Sequence, residues 1–206
     1  LDGNRRFAKN LMKEPWKGHK YGADNVKKLL EWAKELDIKE LTLYAFSMQN
    51  FKRTEKEVNM LMKLFDEFFG SKDIEKDMHK NHVKVRFIGR TNMFPENVYK
   101  RMKELEDKTK SYSDHTVNFA MAYGGREEII DAVKRIGKDM IDGEIKIDDI
   151  DEKKFAAYLY INSEPDFIIR TGGDYRTSNF LPWQSTYSEW FFLKKTWPEF
   201  TKDDLK

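Results

Sequence analysis

Three short stretches of this 206-residue chain gather the side chains that bind phosphate. Asp2-Gly3-Asn4-Arg5-Arg6 sets one carboxylate, a flexible glycine and two guanidiniums within five residues. That combination suits a diphosphate and its magnesium at a strand-to-helix turn, where free backbone amides add to the positive field. Taken alone it is a weak signal, because short basic clusters are usually solvated turns. A second cluster, Arg170-Thr171-Gly172-Gly173-Asp174-Tyr175-Arg176-Thr177-Ser178-Asn179, follows an apolar run, and its two arginines and Ser178 hydroxyl suit phosphate oxygens. A third, Ser47-Met48-Gln49-Asn50-Phe51-Lys52-Arg53, also follows an apolar run. In an open α/β sheet, ligands lie beyond the carboxyl ends of the strands, so three polar loops there could converge on one anionic substrate or on two. His19 by itself reads as a turn histidine.

The elements that must position these loops show in the periodicity. Apolar runs alternate with helical patterns from end to end, the rhythm of βαβ units around a mostly parallel central sheet flanked by helices. Strands are expected at Leu41 to Ser47, Val83 to Ile88, Thr116 to Tyr123, Asp166 to Arg170 and Glu189 to Leu193. Thr54 and Glu57 have capping-box spacing, and Val58, Leu61, Met62, Phe65 and Phe69 then recur along one helical face. Pro95 opens a helix, Glu127 to Met140 forms another, and Asp151 starts a short one through Ile161. Tyr123-Gly124-Gly125-Arg126 reads as a strand-to-helix turn. With no repeat, linker or low-complexity tract, residues 1–206 are expected to form a single domain. An α/β domain would place a strand before the Asp2 loop, and Lys206 falls where another helix would start, so the native protein is expected to extend past both ends.

Composition narrows the function classes. Lys and Arg number 38 against 36 Asp and Glu, a near balance that disfavours a nucleic-acid module with a broad positive face. Cysteine is absent, which removes thiolate nucleophiles and zinc-thiolate sites; a reducing compartment, most simply the cytoplasm, is compatible. No apolar run approaches bilayer length.

The motifs also carry a resemblance. DGNRRFAK at Asp2, GHKYG at Gly18, LTLYAFSMQNFKR at Leu41, YGGREEI at Tyr123 and PDFIIRTGGDYRTSNFLPWQSTYSEWFF at Pro165 resemble, in order, the five motif regions of the undecaprenyl diphosphate synthase family of cis-prenyltransferases. The resemblance implies an enzyme that condenses isopentenyl diphosphate units onto an allylic starter, farnesyl or geranylgeranyl diphosphate. The product is a long polyprenyl diphosphate, precursor of a glycosyl carrier lipid. It implies Mg2+ as cofactor, a homodimer, peripheral membrane contact through the lipid product, and a hydrophobic tunnel for the prenyl chain. Residue by residue, Asp2 resembles the magnesium-linked aspartate that assists departure of the allylic diphosphate, with Gly3, Asn4, Arg5 and Arg6 holding that group. Phe7 stands in the same motif as an aromatic wall, and His19 matches the family histidine nearby. Ser47, Asn50, Phe51 and Arg53 match positions around the reacting carbons, with Asn50 in a positioning role. Arg170, Arg176 and Ser178 resemble the isopentenyl diphosphate site, and Glu189 the second carboxylate tied to magnesium.

The match departs from the family at four positions. Pro15 stands where several members carry Arg, leaving Lys13 or Lys17 to supply that charge; Gln49 stands where Glu is frequent; and Phe7 and Phe51 stand where Trp is common. Asp148-Asp149-Ile150-Asp151-Glu152 looks like the aspartate-rich motif of trans-type synthases, but its single copy before a short helix reads as a solvated cap. The rival reading, a non-catalytic partner subunit of the same fold, would be expected to lack Asp2, its arginines or the Arg170 loop, and all are present.

Overall fold

The computed structural model describes residues 1–206. Its first unit is a three-stranded parallel sheet: β1 (Glu40–Ser47), β2 (Val83–Ile88) and β3 (His115–Tyr123), in the order β1-β3-β2. β3 is central because its run VNFAMAY is buried on both faces, as a strand covered by helices requires. Between β1 and β2 run α3 (Glu55–Phe69) and α4 (Lys72–Lys80), after α1 (Asn4–Asn10) and α2 (Gly18–Glu35) have led into the sheet. The crossover from β2 to β3 is α5 (Glu96–Thr109), with Pro95 at its N-cap. After β3 come α6 (Gly125–Ile141) and the short α7 (Glu152–Ala157), capped by Asp151, whose carboxylate accepts from the Lys154 amide at 2.6 Å.

The remaining strands, β4 (Phe167–Arg170) and β5 (Glu189–Phe192), pair in parallel as a separate two-stranded sheet. The single central sheet expected from the strand rhythm is therefore divided in two. Neither β1 nor β4 pairs with another strand on its second edge, and the two edges face each other across a cleft of about 760 Å³ lined by Leu36 to Ala45 on one side and Ser163 to Thr171 on the other. Ser163 donates to Glu40 at 2.9 Å across the end where the strands begin. α7 ends at Ala157, short of the expected Ile161, because the Tyr160 and Ile161 amides turn instead to the buried Glu128 carboxylate, at 2.8 and 3.4 Å.

The main core lies between the first sheet and α2, α3, α4 and α5 and is rich in phenylalanine. Phe46, Phe65, Phe68, Phe69, Phe87, Phe94 and Phe119 are all buried there. Most of their ring contacts are edge-to-face, the geometry the aromatic quadrupole favours. α2 is tied to the end of the chain by polar bonds inside this core. Asn25 Nδ2 donates to the Trp197 and Phe200 carbonyls at 2.8 and 3.1 Å, and Trp197 Nε1 donates to the Gly22 carbonyl at 2.8 Å.

Candidate active site

Asp2 lies where the C-terminal end of β4 meets the start of α1. Its Oδ1 accepts from the Gly3 amide at 2.7 Å, and its Oδ2 accepts from Arg170 Nη2 at 2.7 Å. Thr171 holds the same residue by its main chain: its hydroxyl donates to the Asp2 carbonyl at 2.9 Å and lies 3.2 Å from the Asp2 amide. The turn requires glycine next. Gly3 has φ 101°, and a Cβ there would meet Thr196 at 2.7 Å. Burial works against ionisation of Asp2, but the Gly3 amide and the Arg170 guanidinium outweigh it and hold the carboxyl below its ordinary value.

Arg170 organises the loop that follows β4. Besides Asp2 it reaches Ser178 Oγ at 2.6 Å and the Arg176 carbonyl through Nη1. Ser178 and Asn179 adopt positive φ of 51° and 63°, a conformation that folds the loop back over Arg170. Asp174 of the same loop accepts from both Arg6 and Arg176 at 3.1 Å. Arg170 Nε is buried without a hydrogen-bond partner, and so is Asn4 Oδ1, which lies against Gly22 of α2.

The third group gathers around α3. Ser47 and Asn50 form the capping box of the 3-10 turn Met48–Lys52, in which the Ser47 amide donates to Asn50 Oδ1 at 3.0 Å. This turn hangs Phe51 on Phe46, ring centroids 4.8 Å apart, and delivers Arg53 to Glu57 at 2.8 Å. His19, on the first turn of α2, meets the same Glu57 oxygen at 3.0 Å. Burial holds His19 below its ordinary value, as do the cations Arg53 and Arg5, against the opposing pull of Glu57.

The cleft between β1 and β4 continues into one cavity that joins these groups. Asp2, Asn4 and His19 line it with Ser47, Asn50 and Arg53 on one side and Arg170, Arg176 and Ser178 on the other. Arg5 and Arg6 stand at its border through Glu57 and Asp174, at 3.8 and 3.1 Å. Phe7 packs edge-on against Tyr21. Lys13, a candidate to replace the charge missing at Pro15, is engaged with the Tyr21 hydroxyl instead. Glu189 is not brought to Asp2 within the chain. It is exposed at the first residue of β5, opposite Phe167, while Arg170 pairs with Phe192 three residues on, roughly 10 Å further along the strand. No group of three or more His, Asp or Glu side chains able to hold a cation by itself is present.

An α/β domain that collects guanidiniums and carboxylates in one cavity at the carboxyl ends of its strands is a binder of phosphate esters. The comparisons give that class its chemistry. The family model for undecaprenyl diphosphate synthase matches residues 1–206. A tritrans,polycis-undecaprenyl-diphosphate synthase (geranylgeranyl-diphosphate specific) of Thermococcus kodakarensis is 48% identical over 207 residues, covering 100% of this chain and 78% of the relative. The similarly named protein of Methanocaldococcus jannaschii is 46% identical, covering 100% of this chain and 75% of its own. The crystal structure of lavandulyl diphosphate synthase from Lavandula x intermedia, in complex with dimethylallyl diphosphate, superposes with a TM-score of 0.95 at 34% identity, covering 100% of this chain and 89% of that one. The chain belongs to the undecaprenyl diphosphate synthase family and is a cis-type polyprenyl diphosphate synthase.

Two residues of the site escape a reading of motifs. Glu57 reads as the second member of a capping box with Thr54, yet only half of that box forms: Thr54 accepts from the Glu57 amide at 3.4 Å, while the Glu57 carboxylate turns away to His19 and Arg53. Asp174 sits in a loop where a carboxylate is unremarkable, and only the fold brings it to Arg6, 168 residues away.

Proposed function

We propose that this enzyme extends geranylgeranyl diphosphate with successive isopentenyl diphosphate units, in cis, to a polyprenyl diphosphate of undecaprenyl length that serves as precursor of a glycosyl carrier lipid. The observation that carries the reading is the convergence of Arg53 on one side and Arg170 with Arg176 on the other on one cavity that also holds Asp2, with Arg5 joined to Arg53 through Glu57 at the border. Two diphosphates need two cationic seats. The geranylgeranyl specificity named for the Thermococcus and Methanocaldococcus relatives favours geranylgeranyl over farnesyl diphosphate as starter.

In this reading Gly3, Asn4, Arg5, Arg6 and His19 hold the allylic diphosphate, with Phe7 as an aromatic wall, and Arg170, Arg176 and Ser178 hold isopentenyl diphosphate. Ser47, Asn50, Phe51 and Arg53 orient the reacting ends. As the allylic carbon–oxygen bond breaks, negative charge gathers on the departing diphosphate, and preplaced guanidiniums stabilise that charge without reorganising. Arg170 Nε, buried without a partner, is a donor in reserve for an anion. Mg2+ fits the site in its usual manner, held by one or two carboxylates together with phosphate oxygens. Asp2 is such a carboxylate, and it lines the cavity. When bound, the ion would neutralise the leaving diphosphate. Glu189 would join it only if another copy of the chain brought it there, which fits the proposed homodimer; light scattering on the purified protein checks the oligomeric state.

The prenyl tail is proposed to run between α3 and the sheet, among Phe46, Phe51, Phe65 and Phe94, whose rings stand directly behind the Ser47–Arg53 turn. The cleft between β1 and β4 is a poorer path for hydrocarbon, since the backbone donors and acceptors of two strand edges line it. No helix is long and apolar enough to cross a membrane, so contact with the bilayer is proposed to be peripheral, drawn by the product; vesicle flotation with and without product tests it.

The experiment that tests the activity is incorporation of radiolabelled isopentenyl diphosphate into extractable lipid, with each starter, with and without Mg2+, for the enzyme and Asp2→Ala. Magnesium-dependent long-chain product from geranylgeranyl diphosphate, lost in the variant, supports the reading. Absence of product from folded protein would return the chain to the partner-subunit alternative.

A further inference from the structure

We propose that Glu57 is the positioning residue of this site: one buried carboxylate oxygen holds His19, Arg53 and Arg5 in register and fixes which ring nitrogen of His19 carries the proton. The proposal rests on the reading of this cavity as a diphosphate site. Glu57 lies in the first turn of α3 and is only 3% exposed. Its Oε1 lies 3.0 Å from His19 Nε2, 2.8 Å from Arg53 Nη1 and 3.8 Å from Arg5 Nε. These partners come from three separate elements: α2, the turn after β1, and α1.

By charge alone, a carboxylate beside a seat for a diphosphate is unfavourable, because it repels the ligand. Geometry supplies the reason for it. Arg5 and Arg53 repel each other, and a shared anion between them lets both stay close to the cavity. Burial pushes the Glu57 carboxyl up, but the His19 hydrogen bond and the two arginines outweigh burial and keep it ionised. An ionised carboxylate only accepts, so His19 must present Nε2–H to it. Arg53 Nη1 also donates to that oxygen, so its 3.2 Å approach to His19 Nε2 is two donors lying side by side and not a hydrogen bond between them. His19 Nδ1 is then the ring nitrogen left free of the chain, and His19 lines the cavity. Glu57 thereby delivers a neutral imidazole of one tautomer, with its remaining nitrogen available to substrate, and two guanidiniums at set positions.

The test compares Glu57→Ala and Glu57→Gln in the full chain. Gln keeps an acceptor oxygen at the Oε1 position but removes the charge; Ala removes both. Ring-nitrogen NMR of labelled histidine, assigned with His19→Gln, reads the tautomer without substrate. The expected result is a single Nε2–H tautomer in the parent, a mixture in the Ala variant, and a fall in kcat of about 10- to 100-fold for Ala, much of it recovered in Gln. KM for the allylic diphosphate should change less than kcat. If Glu57 acted only through its charge, Ala and Gln would lower KM alike, which overturns the proposal. So does an unchanged His19 tautomer in the Ala variant, or a kcat per folded molecule within about twofold of the parent. Should Ala prevent folding, Glu57→Asp, one methylene too short to reach all three partners, carries the same comparison. An inactive parent whose tautomer still depends on Glu57 would sink the proposed activity while leaving this assignment standing.

Discussion

Arg170 shows why side-chain type matters at this site beyond charge. Its planar fork spans Asp2 Oδ2 and Ser178 Oγ at once, at 2.7 and 2.6 Å, and a lysine ammonium is a single point that cannot bridge both. Arg170→Lys is expected to lower kcat/KM for isopentenyl diphosphate by about 10- to 100-fold, measured by steady-state incorporation at saturating starter. Acid stability belongs to the same residues. Burial keeps folded His19 neutral below its ordinary value of 6.5, so on acidification through 6.5 the unfolded chain takes up a proton that the folded chain refuses. Glu57 is held below its ordinary value of 4.5, so its contribution is whole above 4.5 and is lost as pH falls through its folded value. Thermal melts from pH 8 downward should therefore show Tm declining from about pH 6.5, with a second decline below 4.5, and Glu57→Gln should weaken the second limb, the rest of which belongs to Asp2 and the other carboxylates held low. The candidate residues were legible as types in motifs: Asp2, His19, Arg53, Arg170 and Ser178 all line one cavity. Glu57 was legible only as a helix cap, since a local spacing carries no information about a partner 38 residues away.

At the scale of elements, the site depends on two helices that the residue pattern left unassigned, α1 and α2. α2 carries Lys, Asp and Glu along much of its length and is held by buried polar bonds from Asn25 and Trp197 as much as by an apolar stripe, so periodicity underreports it. α1 lies on its first turn so closely that a Cβ on Gly18 would come within 1.9 Å of the Asn4 carbonyl oxygen. Gly18→Ala is expected to push α1 off α2, costing about 1–3 kcal/mol in urea unfolding and weakening starter binding, because Asn4 and Arg5 ride on α1 while His19 rides on α2. If unfolding and KM both match the parent, the contact between α1 and α2 does not position the site. The strands, α3, α6 and the start of α5 were legible to within a few residues, because long apolar runs, strong stripes and a helix-opening proline leave few alternatives.

The molecule as a whole sets the space for the product. Phe65 and Phe94 pack with Phe46 just behind the Ser47–Arg53 turn, with centroids 5.4 to 6.0 Å apart. If the tail runs there, Phe65→Ala or Phe94→Ala should shift the products toward longer chains on reversed-phase chromatography, whereas an unchanged length distribution in a folded, active variant would remove these rings from the tail's path. The sequence by itself determined the class of domain, the parallel strands, the phosphate-binding residue types and the family, because strand rhythm and motif identity are local or ordered properties of the chain. Only the tertiary structure decided that the strands form two sheets facing across a cleft, that Glu189 lies at the far end of β5 from Arg170, and that Asp174 and Glu57 join the arginines. Each of those outcomes depends on which strand edges find a partner and which buried charges find a counter-charge, and such pairings form between residues far apart along the chain.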